Sequence, residues 1–356
     1  MKKVICLIES LGSGGAERQL SGLAVMLKQQ GYEIEVWTYY PQDFYLPTLK
    51  DGNVKYRYIP EAQRKSKRLS VLRKELKKAN PDTVIAYLDT ACMVACIIKA
   101  LGAKFKLIVS ERNTTQHLSR RERLKFFLYR FANYIVPNSH TQSKFIKKNF
   151  PVLADKVKCI TNFVDIERFV PTQERGERTP RRILTVARVM PQKNVLGYIE
   201  AVKSVVNQGG KLCVDWYGNS ADDNYYEQCK KAVIDKNLED IFVFHQAKSN
   251  IVDEYQNADW FCLPSFYEGF PNVVCEAMSC GLPILASDVC DNAQIVADGQ
   301  NGFLFNPLDE DQIVNTLLKS LDTPEQNIVT MGDNSRKMAV DKFSSTTFIN
   351  KYVDLI

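Results

Sequence analysis

The sequence predicts an α/β chain made of two doubly wound, Rossmann-like domains that face each other across a cleft. Short apolar runs typical of buried strands alternate with longer segments of helical periodicity along most of the chain. Such alternation predicts parallel sheets that are covered by helices on both faces. It stops once, in the polar, proline-bounded segment 171–180, and then starts again. A chain of 356 residues is long enough for two domains with separate cores.

The first domain is predicted to span residues 1–165. Its apolar runs predict strands at residues 3–8, 34–38, 54–59, 83–87, 106–110, 134–136 and 157–160. Helices are predicted at residues 16–30, 66–79, 91–100, 119–131 and 141–150. The first apolar run is interrupted by Glu9, too early for a signal peptide, so we interpret it as a buried strand.

The second domain is predicted to span residues 166–342, with the segment 171–180 as its linker. Strands are predicted at residues 182–186, 211–217, 241–244, 260–263, 284–286 and 302–305. Helices are predicted at residues 194–207, 223–235, 251–257 and 346–355. A further helix is expected to start at Pro271, after the strand at 260–263, and to stop at Gly281.

Composition limits the classes of protein that this chain can belong to. Hydrophobic residues make up 45% and charged residues 25%, as in soluble globular proteins, and no apolar run is long enough to span a membrane. The ten cysteines lie mostly in apolar runs without a Cys-x-x-Cys pair, which predicts free thiols in a reducing cytoplasm. The net charge is +6, with basic clusters at residues 64–78 and 120–130 that favour anionic partners.

Two acids lie beside the predicted strand at 260–263. Glu268 is in the loop at its carboxyl end and Glu276 is on the following helix, where open α/β sheets bind their ligands. The first N–H groups of that helix, those of Asn272 to Val274, are expected to lack helical partners and to suit a phosphate. Gly269 would let a ligand approach the backbone. These residues alone equally allow two solvated surface acids.

Two loops at the starts of helices are candidate anion sites. Gly14 and Gly15 follow the first strand and open a helix, but Glu17 replaces the third glycine of the dinucleotide fingerprint, which argues against a nicotinamide enzyme. Arg188 and Lys193 follow the first strand of the second domain and could converge on one anion. The alternatives are a structural glycine turn and two solvated cations.

The segment from Glu268 to Glu276, Glu-Gly-Phe-Pro-Asn-Val-Val-Cys-Glu, resembles the Glu-x7-Glu signature of the retaining group 1 glycosyltransferases of family 4, which have the GT-B fold. The segments 281–288 and 298–305 match further motifs in the expected order. The resemblance is dense over residues 182–320 and thinner over the first 165. It also implies that the C-terminal helix, 343–356, packs back on the first domain.

The resemblance implies roles for individual residues. Arg188 and Lys193 would neutralise the leaving diphosphate without a metal, Glu268 would contact the donor sugar, and Glu276 would bind the ribose hydroxyls. The other donor-binding residues that it implies are Gly14, Gly15, Gly218, Gln246, Gly269, Phe270, Asn272, Val273 and Val274. No cofactor and no metal site are expected, because the nucleotide sugar is a substrate and no Asp-x-Asp motif lies at a strand end.

The acceptor is expected to bind to the first domain. Glu111, Arg112 and Asn113 end a strand there, at a position where many relatives of this family have a histidine, and we predict that they contact the acceptor. The resemblance implies a glycan or a polyprenyl-diphosphate-linked acceptor.

The predicted helix 119–131 has two different faces. Leu124, Phe127, Leu128 and Phe131 share one face, which is predicted to be core, whereas Phe126 and Tyr129 are predicted to lie among basic residues on the other. A basic face with aromatics suits an anionic membrane surface, and a solvated helix is the alternative.

The sequence therefore predicts a retaining, metal-independent hexosyl- or N-acetylhexosaminyl-transferase that takes a nucleotide sugar, with UDP expected, for surface polysaccharide or glycoconjugate synthesis. It would be cytoplasmic, with peripheral attachment to the inner face of the membrane. The alternatives are a nucleotide-sugar epimerase, a glycogen-type synthase, or a membrane-associated scaffold of the same fold with a degenerate site. No nucleic-acid partner is expected.

Overall fold

The computed structural model describes residues 1–172, 176, 178–220, 222–248 and 250–356. The chain divides into two compact units, which we call unit 1, residues 1–163 with 345–356, and unit 2, residues 164–344. Each unit has its own six-stranded sheet, in which all strand pairs are parallel. No helix in the described ranges is both long enough and apolar enough to cross a bilayer.

The sheet of unit 1 has the strand order β3-β2-β1-β4-β5-β6. Its strands are Lys3–Leu7 (β1), Glu33–Thr38 (β2), Lys55–Tyr58 (β3), Thr83–Tyr87 (β4), Lys106–Glu111 (β5) and Tyr134–Pro137 (β6). Its helices are Gly15–Gln29 (α1), Leu46–Asp51 (α2), Lys65–Ala79 (α3), Asp89–Ala100 (α4), Arg120–Tyr129 (α5), His140–Asn149 (α6) and, at the C-terminus, Ser345–Val353 (α14). The strand order reverses between β1 and β4, as it does in a doubly wound sheet.

Helices cover both faces of this sheet. Side chains of α3, α4 and α5 form one core, and side chains of α1 and α14 form the other. The C-terminal helix α14 is joined to β4 because the hydroxyl groups of Tyr352 and Tyr87 lie 2.8 Å apart. One strand prediction was wrong: residues 157–160 run beside β6 but form only an isolated bridge between Val157 and Ile135.

The sheet of unit 2 repeats the same topology, with the order β12-β11-β10-β7-β8-β9. Its strands are Arg181–Val186 (β7), Leu212–Tyr217 (β8), Phe242–His245 (β9), Trp260–Leu263 (β10), Ile284–Ser287 (β11) and Gly302–Phe305 (β12). Its helices are Val195–Asn207 (α7), Asp223–Asp235 (α8), Val252–Gln256 (α9), Asn272–Ser279 (α10), Asn292–Ile295 (α11), Glu310–Asp322 (α12) and Glu325–Phe343 (α13). The strand order reverses between β7 and β10. Among the helices that the sequence analysis left unassigned, α12 and α13 are the longest.

The prediction for the two faces of α5 was wrong. Phe126 and Tyr129, expected outside, are fully buried, whereas Leu124, Phe127 and Phe131 are 51%, 53% and 37% exposed. Leu128, the fourth residue of the face predicted to be core, is partly buried, and it alone agrees with the prediction.

The cause of this inverted orientation is a buried lysine. The Nζ of Lys125 lies 3.3 Å from Asp89 Oδ1, 3.1 Å from a Glu111 carboxylate oxygen and 2.8 Å from Glu122 Oε2. A buried ammonium needs such partners, so α5 turns Lys125 inward and carries its neighbour Phe126 into the core. Apolar periodicity alone could not show that a lysine would take a core position.

The boundary between the units lies before the predicted linker. Val164 and Phe169 are buried in the core of unit 2, and the Val164 N–H donates to Phe343 O at 2.8 Å. The segment 171–180 therefore follows residues that already pack in unit 2, and its residues 173–175 and 177 lie outside the described residues. The ten cysteines are all free thiols.

Arg336 on α13 fixes the first residues of unit 2. Its Nη1 lies 2.9 to 3.1 Å from the carbonyl oxygens of Ile166, Phe169 and Ser279. A single guanidinium thus joins the start of the unit to the end of α10 and to α13.

We predict that Arg336→Leu lowers the free energy of unfolding by roughly 3 kcal/mol, because it removes a donor from the Ile166 and Ser279 carbonyl groups and leaves Phe169 O to the Ser279 hydroxyl. Urea unfolding followed by circular dichroism measures this change. Lys337→Leu, at the next and exposed position of the same helix, is the matched control and should change stability by less than about 0.5 kcal/mol. Equal effects of the two substitutions would contradict the anchoring role of Arg336.

Candidate active site

Two loops meet where the strand order of unit 2 reverses. The loop after β7, residues 187–194, and the loop after β10, residues 264–271, leave the carboxyl ends of adjacent strands. They are joined by backbone and side-chain bonds: the Phe266 N–H donates to Gln192 O at 2.9 Å, and Gln192 Nε2 donates to Tyr267 O at 2.8 Å. The topological switch point of the sheet is therefore a site built from both loops.

A lysine and a glutamate predicted for the site form an ion pair across these loops. Lys193 Nζ lies 2.6 Å from Glu268 Oε1, and both side chains are largely buried. The backbone directs Lys193: Pro191–Lys193 form a 3-10 turn, and Asn194 takes a left-handed conformation with φ of +54° that starts α7. Asparagine tolerates this conformation better than most residues.

The start of α10 offers fewer free N–H groups than the sequence predicts. The Asn272 N–H donates to Phe270 O at 3.0 Å, and the Val274 N–H donates to Pro271 O at 3.0 Å. The first turn is tightened in this way because Pro271 is the N-cap and supplies no side-chain acceptor. Of the three predicted donors, only the Val273 N–H has no acceptor in the part of the chain that the structure describes.

Glu276 is a buried carboxylate on α10, where the alternative interpretation expected a solvated residue. Its Oε2 accepts a hydrogen bond from the Tyr255 hydroxyl at 3.1 Å, and Tyr255 is fully buried. Two of the predicted donor-binding residues have side chains that pack inside the unit: Val274 is fully buried, and Phe270 packs edge-on against Phe343. Sequence analysis missed Tyr255, because nothing in its local pattern links it to Glu276.

The loops after β8 and β9 lie beside the loop that contains Arg188. The Ala187 N–H donates to Tyr217 O at 3.0 Å, and the Gly218 N–H donates to His245 O at 3.0 Å. A Cβ atom at Gly218 would lie 2.0 Å from Ala187 O, so this position needs glycine for close backbone approach. Arg188 is exposed at the same edge.

The turn after β9, which contains the exposed Gln246, is held by a charged network. His245 Nε2 and Arg182 Nε each lie 2.6 Å from a carboxylate oxygen of Asp215, and the His245 ring stacks on Tyr217 at 4.3 Å between centroids. These contacts fix the position of the turn that contains Gln246, one of the predicted donor-binding residues.

The glycine turn of unit 1 has an acid beside it. Helix α1 begins at Gly15 with Gly14 as its N-cap, and a Cβ atom at Gly14 would lie 2.3 Å from Glu17 Oε2. Burial raises the pKa of Glu17. The turn has the predicted position, and the Glu17 carboxylate folds back onto it.

Two of the three predicted acceptor residues are buried. The Glu111 side chain is fully enclosed, and Arg112 stacks on Tyr87 at 4.0 Å and donates to Asn162 Oδ1 at 2.6 Å and to the Tyr352 hydroxyl at 3.0 Å. Arg112 therefore joins β5 to α14, and the exposed Asn113 is left as the candidate for direct contact.

The comparisons with known proteins identify the family. The model of the glycosyl transferases group 1 matches residues 169–338, and that of glycosyltransferase family 4 matches residues 13–168. The chain belongs to the group 1 glycosyltransferases. In this glycosyltransferase the two matches meet near the boundary between unit 1 and unit 2.

Relatives of this glycosyltransferase include two bacterial enzymes with lipid-linked acceptors in their names. The UDP-Gal:α-D-GlcNAc-diphosphoundecaprenol α-1,3-galactosyltransferase of Escherichia coli is 29% identical over 56% of this chain and 54% of that enzyme, about half its length. The GalNAc-α-(1→4)-GalNAc-α-(1→3)-diNAcBac-PP-undecaprenol α-1,4-N-acetyl-D-galactosaminyltransferase of Campylobacter jejuni is 26% identical over 87% of this chain and 86% of that enzyme.

The structure of Anabaena Alr3699/HepE in complex with UDP superposes on 99% of both chains with a TM-score of 0.86 at 20% identity. The expectation of two Rossmann-like domains in a GT-B fold is thus confirmed.

An acidic group at the switch point of unit 1 was missed by the sequence analysis. Asp89 follows β4, the strand beside β1, and, like Glu122, is a partly exposed member of the cluster around Lys125. The residue before it, Leu88, has φ of +71°, a strained conformation for leucine that sets the start of α4. The sequence contains a signal for Asp89, because this acid follows a predicted strand as Glu111 does.

The cluster shifts the pKa of its members. Burial raises the pKa of Glu111 to about 7, although Lys125 opposes the shift. Burial acts to lower the pKa of Lys125, but Glu111 with its acidic neighbours Glu122 and Asp89 outweighs that effect and raises it. No group of His, Cys, Asp or Glu able to hold a metal ion is found in the described ranges.

We predict that Glu111→Gln flattens the dependence of stability on pH. The folded pKa of about 7 exceeds the ordinary 4.5, so the folded state holds a proton that the unfolded state releases, and wild-type stability is lost as pH rises through this range. Urea unfolding at about pH 5 and about pH 8 measures this loss. Glu61→Gln, at an exposed position, is the control, and parallel behaviour of Glu111→Gln and wild type would contradict the shift.

Proposed function

We propose that this glycosyltransferase is a retaining, metal-independent hexosyl- or N-acetylhexosaminyl-transferase. Its donor would be a UDP-sugar and its acceptor a glycan or a polyprenyl-diphosphate-linked glycan, in surface polysaccharide or glycoconjugate synthesis. The observation that supports this most directly is the ion pair between Lys193 and Glu268 at the switch point of unit 2. The names of the Escherichia coli and Campylobacter jejuni relatives and the UDP complex of the Anabaena protein agree with this choice of substrates.

The nucleoside part of the donor would bind along the edge from Glu276 to the turn after β9. Glu276 accepts a hydrogen bond from Tyr255, which positions the carboxylate, and the ribose hydroxyls would donate to this carboxylate. Gly218 lets the Ala187 backbone approach the loop after β8 closely. The turn that contains Gln246 would contact the base through its backbone groups.

The diphosphate would leave against positive charge. As the bond between the anomeric carbon and the diphosphate oxygen breaks, negative charge grows on the diphosphate, and Lys193 and Arg188 would neutralise it. The Val273 N–H and the dipole of α10 would add to this stabilisation. Glu268 would hold the Lys193 ammonium in place and contact the donor sugar. The acceptor hydroxyl would attack the anomeric carbon on the same face, and its proton would pass to the departing diphosphate oxygen.

The acceptor would bind to unit 1. Asn113 is exposed at the carboxyl end of β5 and would contact it, while Glu111 and Arg112 support this loop from inside the unit. A lipid-linked acceptor would bring the enzyme to the membrane, so we also propose peripheral attachment to an anionic membrane surface on its cytoplasmic side.

The proposed reaction is tested with a panel of UDP- and GDP-sugars. We expect UDP-sugars to raise the melting temperature and to be hydrolysed slowly, and a chelator of divalent metals to leave the rate unchanged. Lys193→Met and Glu268→Gln should each lower the turnover by about 100-fold, the scale seen when a charge-stabilising group is removed. Lys231→Met, an exposed lysine of the same unit, is the control. Absence of any response to nucleotides would favour a scaffold.

We predict that Tyr255→Phe raises KM for the UDP-sugar about tenfold with little change in kcat, because one hydrogen bond to a charged carboxylate is lost. Isothermal titration calorimetry with UDP should show the same weakening. Tyr198→Phe is the matched control, since Tyr198 is also buried but belongs to the other core of unit 2. A change confined to kcat would count against a role of Tyr255 in ribose binding.

A further inference from the structure

Helix α5 presents an apolar stripe to solvent. Leu124 and Phe127 lie on one face of the helix, Phe131 lies two residues beyond its end, and each is between about a third and a half exposed. Single exposed apolar residues are ordinary on protein surfaces, but contiguous apolar patches mark interaction sites. We call these three residues the α5 stripe.

Cations surround the α5 stripe. The arginines at positions 120, 121, 123 and 130 are all exposed, and the guanidinium of Arg130 lies 4.5 Å from the ring centroid of Phe127. The acid of this helix, Glu122, is paired with the buried Lys125 at 2.8 Å. The solvent-facing side of α5 therefore combines apolar side chains with uncompensated positive charge.

A second basic helix lies on the same side of unit 1. Side chains of α3, α4 and α5 share one core, so the three helices cover the same face of the sheet and turn their outer sides in the same direction. The exposed cations of α3 and its N-cap are Arg64, Lys65, Lys67, Arg73, Lys74, Lys77 and Lys78. Helix α4 packs against both α3 and α5 and lies between them, so these cations add positive charge to the same face of unit 1.

Buried contacts on the inner side of α5 fix the orientation of the stripe. Lys125 binds carboxylates at the ends of β4 and β5, and Phe126 packs between Tyr129 and Phe150 with ring centroids 5.7 and 4.5 Å away. These anchors hold the apolar side chains outward, so their exposure is a property of a well-packed helix. Helix α5 follows the loop that contains Asn113, the residue proposed to contact the acceptor.

We infer that the α5 stripe and its arginines dock on an anionic phospholipid bilayer. Leucine and phenylalanine side chains enter the boundary between headgroups and acyl chains, and arginines bind headgroup phosphates, as in helices that lie in a membrane interface. Charge complementarity selects this partner, because a face with this many cations repels a second copy of itself. The inference rests on the proposed function in one respect: a lipid-linked acceptor would reach the enzyme at the same membrane surface.

Flotation of the full chain with vesicles tests the inference. We expect the chain to float with vesicles of phosphatidylcholine mixed with phosphatidylglycerol, to float poorly with phosphatidylcholine alone, and to be released by high salt. Equal flotation with both kinds of vesicle, or none with either, would overturn it.

The double substitution Leu124→Ser and Phe127→Ser tests the apolar part. We expect at least about tenfold weaker partitioning into the anionic vesicles, because two apolar side chains no longer enter the bilayer. Ile234→Ser is the matched control, since Ile234 is an exposed apolar residue on a helix of unit 2. A double variant that binds as well as wild type would overturn the role of the stripe.

A triple substitution of arginines 120, 121 and 123 by glutamine tests the charged part. It should weaken binding to anionic vesicles by at least about tenfold and reduce the dependence on salt. The control replaces three exposed lysines of unit 2, Lys211, Lys231 and Lys337, by glutamine and removes the same charge. Equal losses in both triple variants would show an effect of net charge and overturn the local site.

Two further measurements keep the result interpretable. The melting temperature of each variant with and without UDP shows whether the chain is folded, and it reports the proposed function separately from vesicle binding. Sedimentation without lipid tests whether a second copy of the chain binds this surface instead. A wild-type dimer that becomes a monomer in the double variant would overturn membrane docking in favour of a second copy. Vesicle binding by a chain that responds to no nucleotide would contradict the proposed function and leave membrane docking intact.

Discussion

The reversal of strand order between β7 and β10 is the constraint on which the site in unit 2 depends. Adjacent parallel strands whose connections run to opposite sides leave their loops open at the carboxyl edge, and here those loops contain Lys193 and Glu268. The ion pair then joins the two loops, and α10 starts beside them. In unit 1 the order reverses between β1 and β4, so the glycine turn that follows β1 and the Asp89 that follows β4 come after the carboxyl ends of adjacent strands.

Much of this arrangement could be predicted from sequence, since it depends on local patterns. Apolar runs located the strands, and the Glu-x7-Glu spacing placed Glu268 in a loop and Glu276 on a helix. The N–H groups at the start of α10 were not predictable in the same way, because Pro271 lets nearby carbonyls accept from Asn272 and Val274. Tyr255 was missed for a related reason: its bond to Glu276 joins separate elements.

The largest error, in α5, shows what periodicity leaves out. Hydrophobic spacing assigns leucine and phenylalanine to the core and lysine to solvent, but the carboxylates of Asp89 at the start of α4 and Glu111 at the end of β5 form a site that an ammonium satisfies. Lys125 therefore determines the rotation of the helix about its axis, which leaves Leu124 and Phe127 on the solvent-facing side. Glu111, which was predicted to contact the acceptor, is one of those carboxylates and is enclosed.

The glycine at position 218 has a consequence for protein engineering. Because the Ala187 carbonyl fills the space where a side chain would begin, no library of substitutions at this position can reshape the proposed donor site without first moving the backbone of Ala187 away. Variation aimed at a different nucleotide or sugar is better directed to the neighbouring solvent-facing positions such as Gln246, whose side chain can change while the backbone stays in register.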